Sequence, residues 1–198
     1  MELPRVTLDE FLKFEPCWPD DERGLRRLEY YARKLGGSAD ALEILALRKI
    51  PAEDRLWAVL RKEFIPTPIL HEFACRCAED ALSRIDNPDP RSINAIVVKR
   101  RWIAGEATDA ELAAAEADAW AAARTARTAE AAAWAAWAAW AAARTARTAW
   151  AAAEAATWAA WAAAEADARA AQVDMLTQML REYAGAGEED TQCACMRV

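Results

Sequence analysis

Apolar residues recur at helical spacing from the start of the chain. In PDDERGLRRLEYYARKLGG, Leu25, Leu28 and Tyr31 fall on one helix face, and Gly36 and Gly37 then supply the permissive dihedrals that end a helix. Before it, Thr7 followed by Glu10 forms a capping box, in which hydroxyl and carboxylate each satisfy an orphan backbone donor, so a helix is expected over residues 7–13. Ser38 is the expected cap of ADALEILALRKI, and Pro51 is expected in the first turn of AEDRLWAVLRKEF, where its missing N–H is not needed. Thr67 with Pro68, and Asp89 with Pro90, open ILHEFACRCAEDALSRI and RSINAIVVKRRWIAG in the same way. Punctuation this frequent predicts a bundle of short helices over residues 1–105.

After Gly105 the pattern changes. Thr108 and Glu111 make a second capping box, and from there to Ala184 the chain contains neither Gly nor Pro. A single helix of that length would exceed ~110 Å at 1.5 Å per residue, so antiparallel helices with unmarked turns are expected. An internal repeat agrees: residues 119–129 and 139–149 both read AWAAARTARTA, an offset of 20. On one continuous helix that offset turns the copies ~200° apart, which calls for neighbours on both sides or a bend, placed here within residues 128–134 or 148–151. Beyond Asp167, Val173, Leu176, Met179 and Leu180 form an ordinary apolar stripe. The expected fold is all-α: an N-terminal bundle of short helices, an Ala/Trp-rich array of long antiparallel helices over 106–184 packed on it, and a flexible tail over 185–198.

Composition narrows the partners. A net charge of −7 argues against general binding to nucleic acid or anionic lipid. The longest stretch of the array without a charged residue, 131–143, is 13 residues, short of the ~20 that a membrane span needs. The start, MELPRVTLDE, shows no basic segment followed by an apolar one, so a cytoplasmic location is expected. Five cysteines, an odd number, suit reduced thiols there.

Candidate chemistry concentrates in the array. Trp134, Trp137 and Trp140 are spaced by three and precess by ~60° per step, so they cannot share one narrow seam, and at least one is expected at an edge or groove. Arg124, Arg127, Arg144 and Arg147 stand with Thr125, Thr128, Thr145 and Thr148, and guanidinium forks with hydroxyls suit phosphate or carboxylate. These eleven residues form the candidate ligand or partner surface. The bland alternatives are indoles packing between close alanine faces and arginines pairing with Glu116, Glu130, Glu154 or Glu165. His71 and Cys75 have acceptable metal-ligand spacing, but two ligands do not make a zinc site, and no metal is expected. No nucleophile elbow, Walker loop, dinucleotide fingerprint or H-E-x-x-H occurs, and with a single histidine neither catalysis nor a cofactor is expected.

The segments IPAEDRLWAVLRKEFIPTPILHEFACRCAEDAL and NPDPRSINAIVVKRRWIAGEATDAELAAA, with the Ala/Trp run that follows, resemble a family of alanine-rich helical proteins of bacteria and their phages labelled immunity proteins. The resemblance covers about residues 45 to 182, and its most specific parts are HEFACRCAE, NPDPRS and KRRWIAGEATD. It implies a protein that binds and neutralises a toxin or another agent of bacterial conflict, and it carries no functional residues over. Three functions are thus in view. The first is a non-enzymatic protein that neutralises a protein partner, a toxin or defence component. The second is a sequestering protein for a nucleotide, cyclic nucleotide or other small phosphorylated ligand. The third is a helical scaffold or homodimerisation module.

Overall fold

The computed structural model describes residues 2–16, 22–125 and 166–195, with side chains described over 2–16, 24–123 and 168–185. The fold is all-α, with one small sheet. In chain order the elements are β1 (Val6–Thr7), α1 (Leu8–Leu12), α2 (Glu22–Lys34), β2 (Ser38–Ala39), α3 (Ala41–Leu45), α4 (Ala52–Val59), α5 (Thr67–Ser83), α6 (Pro90–Ile103), α7 (Asp109–Thr125) and α8 (Ala166–Cys195).

The local start signals operate as the sequence suggests, with three shifts, the first at α5, where Pro66 is the N-cap and Thr67, the expected cap, is the first helical residue with no side-chain cap. At α1 the Thr7 hydroxyl accepts from the Glu10 amide at 3.3 Å, and the Glu10 carboxylate accepts from the Thr7 amide at 2.9 Å. The same reciprocal pair joins Thr108 and Glu111 ahead of α7. Asp89 accepts from the Arg91 amide at 2.9 Å and caps α6. The expected cap Ser38 instead lies in β2, which pairs antiparallel with β1 through Val6↔Ala39 and Thr7↔Ser38. Asp40 caps α3 in its place, in a capping box with Glu43. Ser38 is taken by Arg5, whose Nη2 donates to the Ser38 carbonyl at 2.7 Å and whose Nε donates to its hydroxyl at 3.2 Å. Pro51 stands at the N-cap of α4, not within its first turn. That helix and α3 are also shorter than their apolar patterns, ending at Val59 and Leu45.

The main core gathers residues far apart in sequence. Val6 and Phe11, Ile44 and Leu45, Leu56 and Val59, Phe64 and Ile65, much of α5, and Val173, Leu176, Met179 and Leu180 of α8 all belong to it. Helix α8 packs on α3, α4 and α5, so the C-terminal stripe closes the bundle that the N-terminal helices begin. Arg169 reaches Glu53 and fastens the near end of α8 to α4. The helix also runs past Gly185 and Gly187 to Cys195, which corrects the expected tail from residue 185. A glycine within a helix costs only ~1 kcal/mol, and an already propagating helix can absorb that.

At one side of the core Phe11, Phe14, Trp57 and Phe64 meet edge-on or tilted, with ring centroids 5.9 to 6.5 Å apart. The Arg61 guanidinium lies over Phe14 at 4.7 Å and over Trp57 at 4.2 Å, a cation held on two π faces. A second, smaller core of Ala95, Val98, Leu112, Ala115 and Ala119 joins α6 to α7. Its alanines let the two axes approach closely. The array's expected bends fall outside the described residues.

Replacing Leu176, fully buried on α8, with alanine should cost about 2–5 kcal/mol in urea unfolding, whereas Leu25→Ala, at a position of α2 that is 40% exposed, should stay within about 0.5 kcal/mol. Similar losses at the two positions would show that α8 is not part of the cooperative core.

Candidate functional site

Of the eleven residues marked in the array, Arg124 and Thr125 form the last two positions of α7, without described side chains. Arg127, Thr128, Trp134, Trp137, Trp140, Arg144, Thr145, Arg147 and Thr148 lie outside the described residues. Trp120, one turn before Arg124, is 36% exposed.

Among the described residues, the densest group of chemically versatile side chains lies between α5 and α6. Helix α5 is buried around most of its circumference because α6 covers one side and α8 another. Its polar residues His71 and Cys75 therefore face neighbouring helices. His71 is 6% exposed and stands edge-on to Trp102, with ring centroids 5.5 Å apart. Lys99 of α6 is fully buried and places Nζ 4.3 Å from the centre of the same indole. The indole nitrogen of Trp102 donates to Asp109 at the start of α7 at 3.0 Å. One tryptophan thus touches an imidazole, an ammonium and a carboxylate from three helices.

Burial sets the charge states here. It pushes the His71 imidazole down to about 4, with the positive charge of Lys99 adding to the effect. It lowers Lys99 to about 8, against the opposing influence of Cys75 and Glu116. It raises the Cys75 thiol to about 12, reinforced by Glu72, and raises Cys77 as well. At neutral pH the imidazole is neutral and the thiols are protonated. A protonated, enclosed thiol is a poor nucleophile and a poor metal ligand, because the thiolate is the reactive form. No group of three or more metal-binding side chains occurs among the described residues. His71 Nδ1 has no hydrogen-bond partner, which fits a neutral ring kept for its packing.

The outer face of α6 is different. Ile93 and Val97 are one turn apart on the same face, 45% and 51% exposed. Ion pairs border them on two sides. Arg100 donates from Nη2 to Glu72 at 3.0 Å and to Glu79 at 2.9 Å, and Glu72 also accepts from Arg76 at 3.0 Å. Burial opposes ionisation of Glu72, but the hydrogen bonds from Arg100 and Arg76 outweigh it and hold its carboxyl below the usual range. On the other side Arg101 lies 3.6 Å from Glu111 of α7. Charge is also unevenly distributed along the chain: residues 1–105 carry 18 acidic and 18 basic side chains, and residues 106–198 carry 14 and 7. The whole acidic excess therefore falls in the half that includes α7.

The array reading passed over Ile93 and Val97, although SINAIVV carries a signal. Its apolar residues surround the helix, and two neighbours cannot cover every side of it. No family model matches the chain, and no curated protein or solved structure matches it either.

Because His71 is the chain's single histidine, its imidazole protons can be followed by NMR without assignment; they should titrate near 4 and not near the free value of 6.5. Between these pH values the unfolded chain takes up a proton that the fold refuses. Stability should then be complete above pH 6.5 and fall toward pH 4, on the order of 3 kcal/mol from this group. His71→Leu should flatten that part of the pH profile. An unchanged slope would mean that other groups set it.

Proposed function

We propose that this chain is a non-catalytic binding protein that neutralises a protein partner in bacterial or phage conflict by covering it. The observation that carries the reading is the Ile93–Val97 patch bordered by the Arg100–Glu72–Glu79 and Arg101–Glu111 ion pairs. Exposed branched aliphatics with ion-paired charges one turn away are the elements of a protein interface, where a dry centre contributes affinity and a polar rim contributes register. The acidic excess after Gly105 favours a basic partner, since complementary charge accelerates encounter. The confinement of His71 and Cys75 to the interior agrees with a role in recognition. The resemblance of residues 45–182 to immunity-type proteins points the same way.

Immobilised protein exposed to lysate from phage-infected bacteria should retain one basic protein in stoichiometric amount, released as salt rises. Val97→Asp should weaken that capture at least tenfold, about 1.4 kcal/mol, while leaving the melting temperature unchanged, because the side chain is half in solvent. Loss of the reading follows if no stoichiometric partner is retained, or if its capture is indifferent to the substitution.

A further inference from the structure

Helix α2 and the body of the protein border an open apolar cleft of about 90 Å³. The two walls differ in kind. The inner wall consists of Phe11, Ile44, Ala58 and Phe64, all buried members of the main core. The outer wall is Leu28, Tyr31 and Ala32 of α2. These outer residues are only half-buried, and none of the described side chains of α2 is fully covered. An amphipathic helix has laid its apolar face toward the core without closing on it, and the space between is several times the ~10–15 Å³ that one water needs.

The charged edge of the cleft is formed by Asp54 and Arg55 of α4. Arg55 donates from Nη1 to the carbonyl of Leu45, and its Nε is buried with no hydrogen-bond partner. A guanidinium donor in that condition is one that an incoming oxyanion satisfies, and the geometry of the fork suits a carboxylate. Burial lowers the pKa of Arg55, partly offset by Asp174. Asp54 on the same edge makes no hydrogen bond or ion pair among the described residues, and its charge opposes an anionic head, most strongly one bearing more than one negative charge. At the end of α2, Gly36 and Gly37 have φ of 75° and 91°, with nothing within 4 Å of the space that a Cβ would occupy.

We propose that this cleft binds a free monoanionic amphiphile, an aliphatic chain with a single carboxylate head, whose tail lies between α2 and the Phe11–Ile44–Ala58–Phe64 wall and whose head is held by Arg55. Occupancy completes the burial of the apolar side of α2 and supplies the missing acceptor to Nε. The site is separate from the α6 face, so either proposal can fail without the other.

Calorimetric titration of the full chain with dodecanoate, below its micelle concentration, should give saturable one-to-one binding. Dodecanol, with the same tail and no charge, should bind at least tenfold more weakly, and dodecylamine weaker still. Arg55→Gln should abolish the preference for dodecanoate over dodecanol while leaving dodecanol binding intact. Ala32→Trp, at a half-exposed position facing the cleft, should weaken both ligands at least tenfold and serves as the second test if the Arg55 variant fails to fold. Absence of saturable binding, or binding unaffected by Ala32→Trp, overturns the site. Equal affinity for acid and alcohol overturns the assignment of the head to Arg55.

Discussion

The burial of α5 on more than one side is the constraint from which the rest of the structure follows. Ile69, Leu70, Phe73, Ala74, Cys77, Ala78 and Leu82 commit so much of its circumference to the interior that two other helices must cover it. Helix α8 supplies one cover from the far end of the chain, and α6 supplies the other. The enclosure also traps His71 and Cys75, and α6 answers with Lys99 and Trp102. Burying an ammonium is costly unless its charge is compensated, and the indole face does part of that work while leaving the histidine neutral. The mixed character of the α5–α6 interface is thus a consequence of packing demand, and its shifted protonation states follow from the same desolvation.

That arrangement separates the buried polar groups from the exposed apolar ones. The groups that would ordinarily suggest catalysis are enclosed, and the outer face of α6 is left with Ile93 and Val97 between fixed ion pairs. The Arg100 cluster has a second effect on this face: by engaging Glu72 and Glu79 it ties α6 to α5. The apolar cleft under α2 has a different origin. The inner wall is already closed core, and α2 adds a half-covered apolar face to it. One molecule therefore offers an exposed apolar pair on α6 and an apolar cleft under α2, lined by different residues.

Several features were readable in the residues themselves. Capping boxes at Thr7 and Thr108 and the Asp89–Pro90 start work as read, because a cap involves groups within three or four positions and needs nothing distant to form. The apolar stripe through Val173, Leu176, Met179 and Leu180 is likewise core. The β1–β2 pair was not legible: two residues per strand leave no period to detect, and the pairing spans more than thirty positions through Arg5 and Ser38. The proposed interface was missed for a related reason. Ile93 and Val97 look like any other core aliphatics until it is known which sides of α6 its neighbours take.

The sequence by itself determined that the chain is helical, where most of its N-terminal helices begin, and that its acidic excess lies in the second half, since propensity, capping and charge are local or additive properties. Only the tertiary structure decided that α8 closes the N-terminal core, that His71 and Lys99 share one indole, and that Ile93, Val97 and the space beneath α2 remain accessible. Burial is a property of surroundings, and surroundings are assembled from residues that the order of the chain holds far apart.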